Sequence, residues 1–309
     1  MTKYRIISID GGGIRGLVTA ILLQKIAKVP ELGDFLDKVD LIAGTSTGGL
    51  LALGIAKGMN PTEFRDLYVS KGVKIFDDSW LDDLVDLGKL RGADYDSKFL
   101  RRELKKIFQS TTLGDLPKKV LITSFDLDNE DVSPGKRTWK PKLFHNFDGP
   151  SNDNQLLVAD VGMYTTAAPT YFPSYDGFVD GGVYANNPAM CALAQTQDER
   201  YPPNPGMKEV VMLSLGTGTV LQYIRGKTHD WGYAQWAKPL ISLMMDGTTG
   251  IADYQCRQLL GDRYHRLEPV FPPGMNIPLD AVAKIPDMIA FSENTDVNPA
   301  VDWLKKHWM

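Results

Sequence analysis

Twice near its start, this chain passes from a short apolar run straight into a glycine turn and on into an apolar segment of helical period. Tyr4–Ile9 leads into Asp10-Gly11-Gly12-Gly13-Ile14-Arg15-Gly16 and a helical pattern over residues 14–28; residues 39–43 lead into Gly44-Thr45-Ser46-Thr47-Gly48-Gly49 and a helical pattern over residues 48–57. Short continuous apolar runs that alternate with helices are the mark of a parallel sheet buried on both faces. The expected fold is therefore α/β, a three-layer α/β/α arrangement with a mostly parallel central sheet. Further strands are expected at residues 119–125, 142–147, Val210–Leu215 and Tyr264–Leu267, with helices at Lys98–Phe108 and at residues 155–166, 188–199 and 239–260. No repeat or low-complexity tract interrupts the chain, and its Pro/Gly-rich pieces are loop-sized, so residues 1–309 are expected to form a single domain.

Composition narrows the function classes. With 43% hydrophobic and 23% charged residues over 309 positions, the chain can bury a large core. A formal net charge of −4 offers no basic footprint for a nucleic acid polymer, which is not expected as a partner. The N-terminus turns directly into a strand without a leader-like apolar region, and the longest apolar stretch, residues 41–56, is broken by Thr45, Ser46 and Thr47. It is shorter than the ~18 residues of a membrane span. The expectation is a cytoplasmic protein whose membrane contact, if any, is transient and peripheral. Cys191 and Cys256 lack metal-site spacing and read as buried thiols of a reducing compartment.

Gly44-Thr45-Ser46-Thr47-Gly48 is a GxSxG pattern between a strand and a helix, the setting of a nucleophile elbow. A serine on so sharp a turn needs neighbours without Cβ, which Gly44 and Gly48 provide, and the helix that follows offers free N–H groups and a positive dipole end. The plainer reading is a glycine-bounded turn with a capping hydroxyl. Gly11, Gly12 and Gly13 can present backbone N–H groups to an anion. The same loop matches G-x-G-x-x-G, but the acidic residue that would hold a ribose is missing from the end of the second strand, where Gly44-Thr45-Ser46 stands. A serine hydroxyl also needs a base. None of the four histidines, His145, His229, His265 and His307, sits in a glycine turn after a strand, although His265 lies near the end of one. Asp180-Gly181-Gly182 does follow an apolar run, and Asp180 could reach Ser46, but Asp-Gly alone is an ordinary turn pair.

Together, DGGGIRG, GTSTGG and DGG in this order and setting, with Thr166-Ala167-Ala168-Pro169-Thr170-Tyr171-Phe172-Pro173 ahead of the last, resemble the patatin-like phospholipase family over roughly residues 4–218. The resemblance implies that Ser46 is the nucleophile, that Asp180 is its base without histidine, and that Gly11, Gly12, Gly13 and Arg15 form or brace the oxyanion hole. It implies a phospholipid or galactolipid substrate, no metal and no cofactor. Acyl transfer would run through an acyl-enzyme that water then hydrolyses. Oligomeric state and any regulator are left open, since some bacterial relatives answer to a signalling nucleotide and no motif here decides the matter.

Two alternatives stand beside this reading: a small-ester or thioester hydrolase with a histidine-containing triad, and a nucleotide-binding module built on the first glycine loop. Lys98–Phe108 is amphipathic, with a basic face that suits either anionic lipid or solvent. Residues 77–90 read equally as a lid over an acyl pocket or as a packed helix.

Overall fold

In the computed structural model, residues 3–75 and 97–309 are described, so the lid expected at residues 77–90 lies outside the described residues. In chain order the strands are β1 (Tyr4–Ile9), β2 (Leu41–Thr45), β3 (Lys119–Asp126), β4 (Lys140–His145), β5 (Phe178–Asp180), β6 (Val210–Leu215) and β7 (Tyr264–Leu267). The helices are α1 (Gly16–Ala27), α2 (Thr47–Lys57), α3 (Pro61–Ile75), α4 (Lys98–Phe108), α5 (Val158–Thr166), α6 (Gly182–Ala185), α7 (Ala189–Thr196), α8 (Tyr233–Leu260), α9 (Ile285–Asn294) and α10 (Asn298–His307).

One sheet carries the strands in the order β4-β3-β2-β1-β6-β7, with β5 added to β3. The central pairings are parallel, whereas β4 and β5 both run antiparallel to β3. Alternation along β1 divides the core: Ile7 and Ile9 join an apolar cluster with α1 and α2, while Tyr4 and Ile6 join another with α7 and α8. Side chains that point to opposite faces of a strand thus build the outer layers on both sides.

Element ends depart from the sequence reading where side chains take over from the backbone. Strand β4 stops at His145, two residues early, because the Asn146 side chain replaces the ladder: Oδ1 accepts the Val120 N–H at 2.8 Å, and Nδ2 donates to Leu113 O and Lys118 O at 3.1 and 3.0 Å. Strand β2 runs on through Gly44 and Thr45, which remain paired with Ile122 and Thr123, so the turn is confined to Ser46. Helix α3 has no strong apolar period, but its start is capped by reciprocal bonds: Asn60 Oδ1 accepts from Thr62 and Glu63 N–H, and Glu63 Oε2 accepts Asn60 N–H at 2.8 Å. Cys256 is fully buried as expected, whereas Cys191 is only partly buried, packed against the same apolar cluster.

Helix α4 turns Leu100, Leu104 and Phe108 inward and leaves Arg101, Arg102, Lys105 and Lys106 exposed, a core-facing stripe with a solvated back. At the end of α10, Trp308 is fully buried, donates from Nε1 to Phe35 O at 3.0 Å and accepts from Arg5 Nε of β1 at 2.7 Å. Truncating so large a buried side chain costs about 3–5 kcal/mol. Trp308→Ala is therefore expected to lower unfolding stability by that order in urea titrations; a change under 1 kcal/mol, on the order of a surface substitution, would show that this corner contributes little.

Candidate functional site

The site is assembled by register on β3. Thr45, the last residue of β2, pairs with Thr123, and Asp180, the last residue of β5, pairs with Ser124. Because β4 occupies the other edge of β3 through Asp126, β2 and β5 share one edge and meet end to end. Ser46, the residue after Thr45, is thereby brought against Asp180.

Ser46 itself adopts φ 55°, ψ −127°, a conformation that L residues rarely hold and that occurs where surrounding contacts over-determine it. Its N–H donates to Thr165 Oγ1 at 2.8 Å, and that hydroxyl donates to Thr123 O at 2.7 Å, which pins the turn to β3. Close approach explains the flanking glycines: a Cβ on Gly44 would stand 2.2 Å from Gly48 O, and one on Gly48 would stand 2.3 Å from Ile9 O. A methyl at either place would push the turn off the end of the sheet.

Asp180 is 5% exposed. Its Oδ1 accepts the Gly182 N–H at 2.7 Å and its own N–H donates to Ala167 O at 3.0 Å, and Ser46 lines the same cavity beside it. Burial pushes the carboxyl up to about 6, while the neighbouring Ser46 hydroxyl and the Gly182 N–H limit the rise.

The first glycine loop faces the same space. Gly11 has its N–H committed to Asn186 O at 3.0 Å, which removes it as an anion donor. The N–H groups of Gly12 and Gly13 have no partner among the described residues, and both glycines line the cavity with Ser46 and Thr47. Arg15 points away from the cavity: Nε donates to Gly12 O at 3.4 Å and Nη1 to Gly218 O at 3.2 Å, so it braces the loop.

Above these groups opens a cavity of about 280 Å³, walled by Leu50, Leu100, Ala168, Phe172, Val183 and Met244. An apolar chamber with a few convergent polar groups suits a ligand with a hydrocarbon part and one reactive polar centre. Leu50, Tyr68, Ile75 and Leu100 also line a smaller apolar cavity of about 80 Å³. No histidine lines either: His265 stacks on Trp303 at 5.5 Å between ring centres, and His145 packs edge-on to Phe147 and Tyr201. Among the described residues no group of His, Cys, Asp and Glu could hold a metal ion, and no helix is long and apolar enough to cross a membrane. Thr165, which pins Ser46, and Thr123 were missed in the sequence because a threonine inside an apolar segment carries no local signal.

Comparison with known proteins adds an independent line. The family model for patatin-like phospholipase matches residues 7–193. The chain is 31% identical over 292 residues to a cGAMP-activated phospholipase of Pseudomonas aeruginosa, covering 91% of this chain and 83% of that protein. It is 29% identical over 295 residues to patatin-like protein 1 of Oryza sativa subsp. indica, covering 81% and 69%. Among solved structures it is similar to VipD from Legionella pneumophila, at 12% identity and a TM-score of 0.40, covering 95% of this chain and 67% of that one.

The raised carboxyl at Asp180 has a consequence for stability. A group that binds its proton more tightly when folded contributes stability below its unfolded value near 3.8, and this is lost as the pH rises through about 6. A shift of this size corresponds to roughly 3 kcal/mol. Asp180→Asn, which cannot ionise and keeps an acceptor for Gly182, is expected to be more stable than wild type at pH 8 by up to that order. The margin should shrink towards pH 4; denaturant titrations at both pH values check this, and a margin independent of pH would contradict it.

Proposed function

This chain belongs to the patatin-like phospholipase family, one relative of which is named a cGAMP-activated phospholipase, and on that premise we propose that it is a metal-independent lipid acyl hydrolase working through a Ser46–Asp180 dyad. The observation that carries the reading is the juxtaposition of Ser46 and a buried Asp180 carboxylate, at the ends of two strands that meet on β3, in the lining of one apolar cavity. The substrate class is a phospholipid or galactolipid.

In the proposed reaction Ser46 Oγ attacks the ester carbonyl as Asp180 takes its proton. The tetrahedral oxyanion is received by the Gly12 and Gly13 N–H groups, assisted by the Thr47 N–H at the start of α2. Collapse breaks the ester C–O bond, and the proton held by Asp180 passes to the departing alcohol or lysolipid. Water then gives a proton to Asp180 and attacks the acyl-enzyme, releasing the fatty acid and returning the proton to Ser46. Desolvation of Asp180 helps here, because a carboxylate near 6 is a better base than one near 3.8 and is still ionised at neutral pH. Val183 and Met244, 37% and 54% exposed on the cavity wall, support a transient peripheral contact with a lipid surface.

The test is fatty-acid release from phospholipid and galactolipid vesicles, together with labelling by a fluorophosphonate serine probe. Each assay is run with and without cGAMP, the activator for which one relative is named. Ser46→Ala and Asp180→Asn are expected to abolish release while remaining folded, EDTA to leave it intact, and His265→Ala to retain it. The pH profile of kcat/KM is expected to rise with a midpoint near 6, since the base works only when deprotonated, and then to level off. A folded wild type that is neither labelled nor active on any of these lipids would overturn the reading. Loss of activity in His265→Ala would move it to the histidine triad.

A further inference from the structure

Beside the first glycine loop lies a second, Gly216-Thr217-Gly218, which leaves the end of β6 and has no role in the chemistry so far. The two loops are stitched together through carbonyl groups. Thr217 Oγ1 donates to Gly11 O at 3.0 Å, while Arg15 holds Gly12 O with its backbone N–H at 3.1 Å and holds Gly218 O with Nη1 at 3.2 Å. A trans peptide is planar, and its C=O and N–H point in opposite directions. The hydroxyl that holds Gly11 O therefore also sets the direction of the Gly12 N–H, one of the two loop amides without a partner among the described residues. Thr217 is 3% exposed, and a Cβ on Gly12 would lie only 2.2 Å from its Oγ1, so its side chain packs directly on the loop it bonds.

Three charged side chains hold the loop that carries Thr217. Glu268 accepts the Gly218 N–H with Oε1 at 3.0 Å and receives Arg266 Nη2 on its other oxygen. Arg266 also grips Asp10 with both arms, Nη1 to Oδ1 at 2.8 Å and Nη2 to Oδ2 at 2.5 Å, and donates from Nη1 to Ser214 Oγ at 2.8 Å. The register aligns Ser8, Ser214 and Arg266 across β1, β6 and β7, so this guanidinium spans three strands at the edge from which both loops depart. The side chains of Arg266 and Asp10 are 5% and 3% exposed; such a two-armed buried pair fixes geometry as well as charge.

We propose that Thr217 is a positioning residue for acyl transfer, aiming the Gly12 N–H at the developing oxyanion through the Gly11 peptide plane, and that the Asp10–Arg266–Glu268 cluster immobilises the loop that carries it. This rests on Ser46 being the nucleophile. Thr217 touches no reacting atom, and ester binding is governed by the apolar cavity, so its effect belongs to the transition state alone.

Thr217→Val keeps the shape and removes the donated hydrogen bond. With a hydrolysable ester, its kcat is expected to fall about 10- to 100-fold at nearly unchanged KM, short of the roughly 10²–10³-fold that follows outright loss of an oxyanion donor. Fluorophosphonate labelling, whose phosphoryl oxygen enters the same hole, should slow in parallel. Thr217→Ser, which restores the hydroxyl, should recover most of both rates. Wild-type kcat in Thr217→Val, or no recovery in Thr217→Ser, overturns the proposal. So does a loss shared by kcat and KM together with a lowered melting temperature, which would mark a structural role only. A wild type without Ser46-dependent turnover overturns both this proposal and the dyad it rests on.

Discussion

Everything at this site hangs on one edge of β3. A parallel strand, β2, and an antiparallel strand, β5, approach that edge from opposite directions and stop at neighbouring residues, Thr123 and Ser124. Backbone ladder bonds are short and directional, so two strand ends that share an edge are set relative to each other more closely than side-chain packing alone could achieve. Ser46 and Asp180 are each the place where a strand gives out, and the carboxylate and hydroxyl meet because the ladder leaves them no other space. A slip of one residue in either pairing would turn the neighbouring side chains to the opposite face.

That arrangement is costly where it stands. Ser46 is held at a positive φ, and Asp180 is stripped of water with the Gly182 N–H bond to offset part of the loss. Neither state would persist on an isolated loop, because backbone strain and carboxylate desolvation both run against folding. They persist because the sheet beneath is closed by fully buried apolar residues on both faces, Ile7, Ile42 and Leu213 on one and Ile6, Leu121 and Met212 on the other. Stability gathered in the core is spent at its carboxyl edge, the usual place for ligand sites in open α/β sheets.

The glycines do two different jobs. Gly44 and Gly48 let two backbones touch, whereas Gly12 and Gly13 leave amides uncovered towards the cavity. The polar groups of the site converge on Ser46 and Asp180, and most of the surrounding lining is hydrocarbon. In the proposed reaction this separation holds a fatty chain by area while the floor acts on one polar bond.

How much of this could be read from the residues alone follows from the range of each interaction. The α/β class, the parallel centre of the sheet, the strand–turn–helix setting of Ser46 and the glycine turn after Asp180 all rest on neighbours within a few residues, so the sequence by itself determined them. Val210–Leu215, Tyr264–Leu267 and Lys98–Phe108 were legible to the residue. Helices α9 and α10, ten residues each, went unread although α10 is amphipathic, and β5 was too short to register as a strand, although it is what delivers Asp180. Tertiary structure alone decided that Gly11 surrenders its N–H to Asn186, that Arg15 braces instead of facing the cavity, and that Thr165, Thr217, Arg266 and Glu268 stand behind the site. Those contacts join residues 50 or more positions apart in the chain, and no local pattern encodes them. They exist only once β1, β6 and β7 lie side by side and β2 meets β5, because hydrogen bonds act over about 3 Å and need the whole sheet to bring their partners within reach.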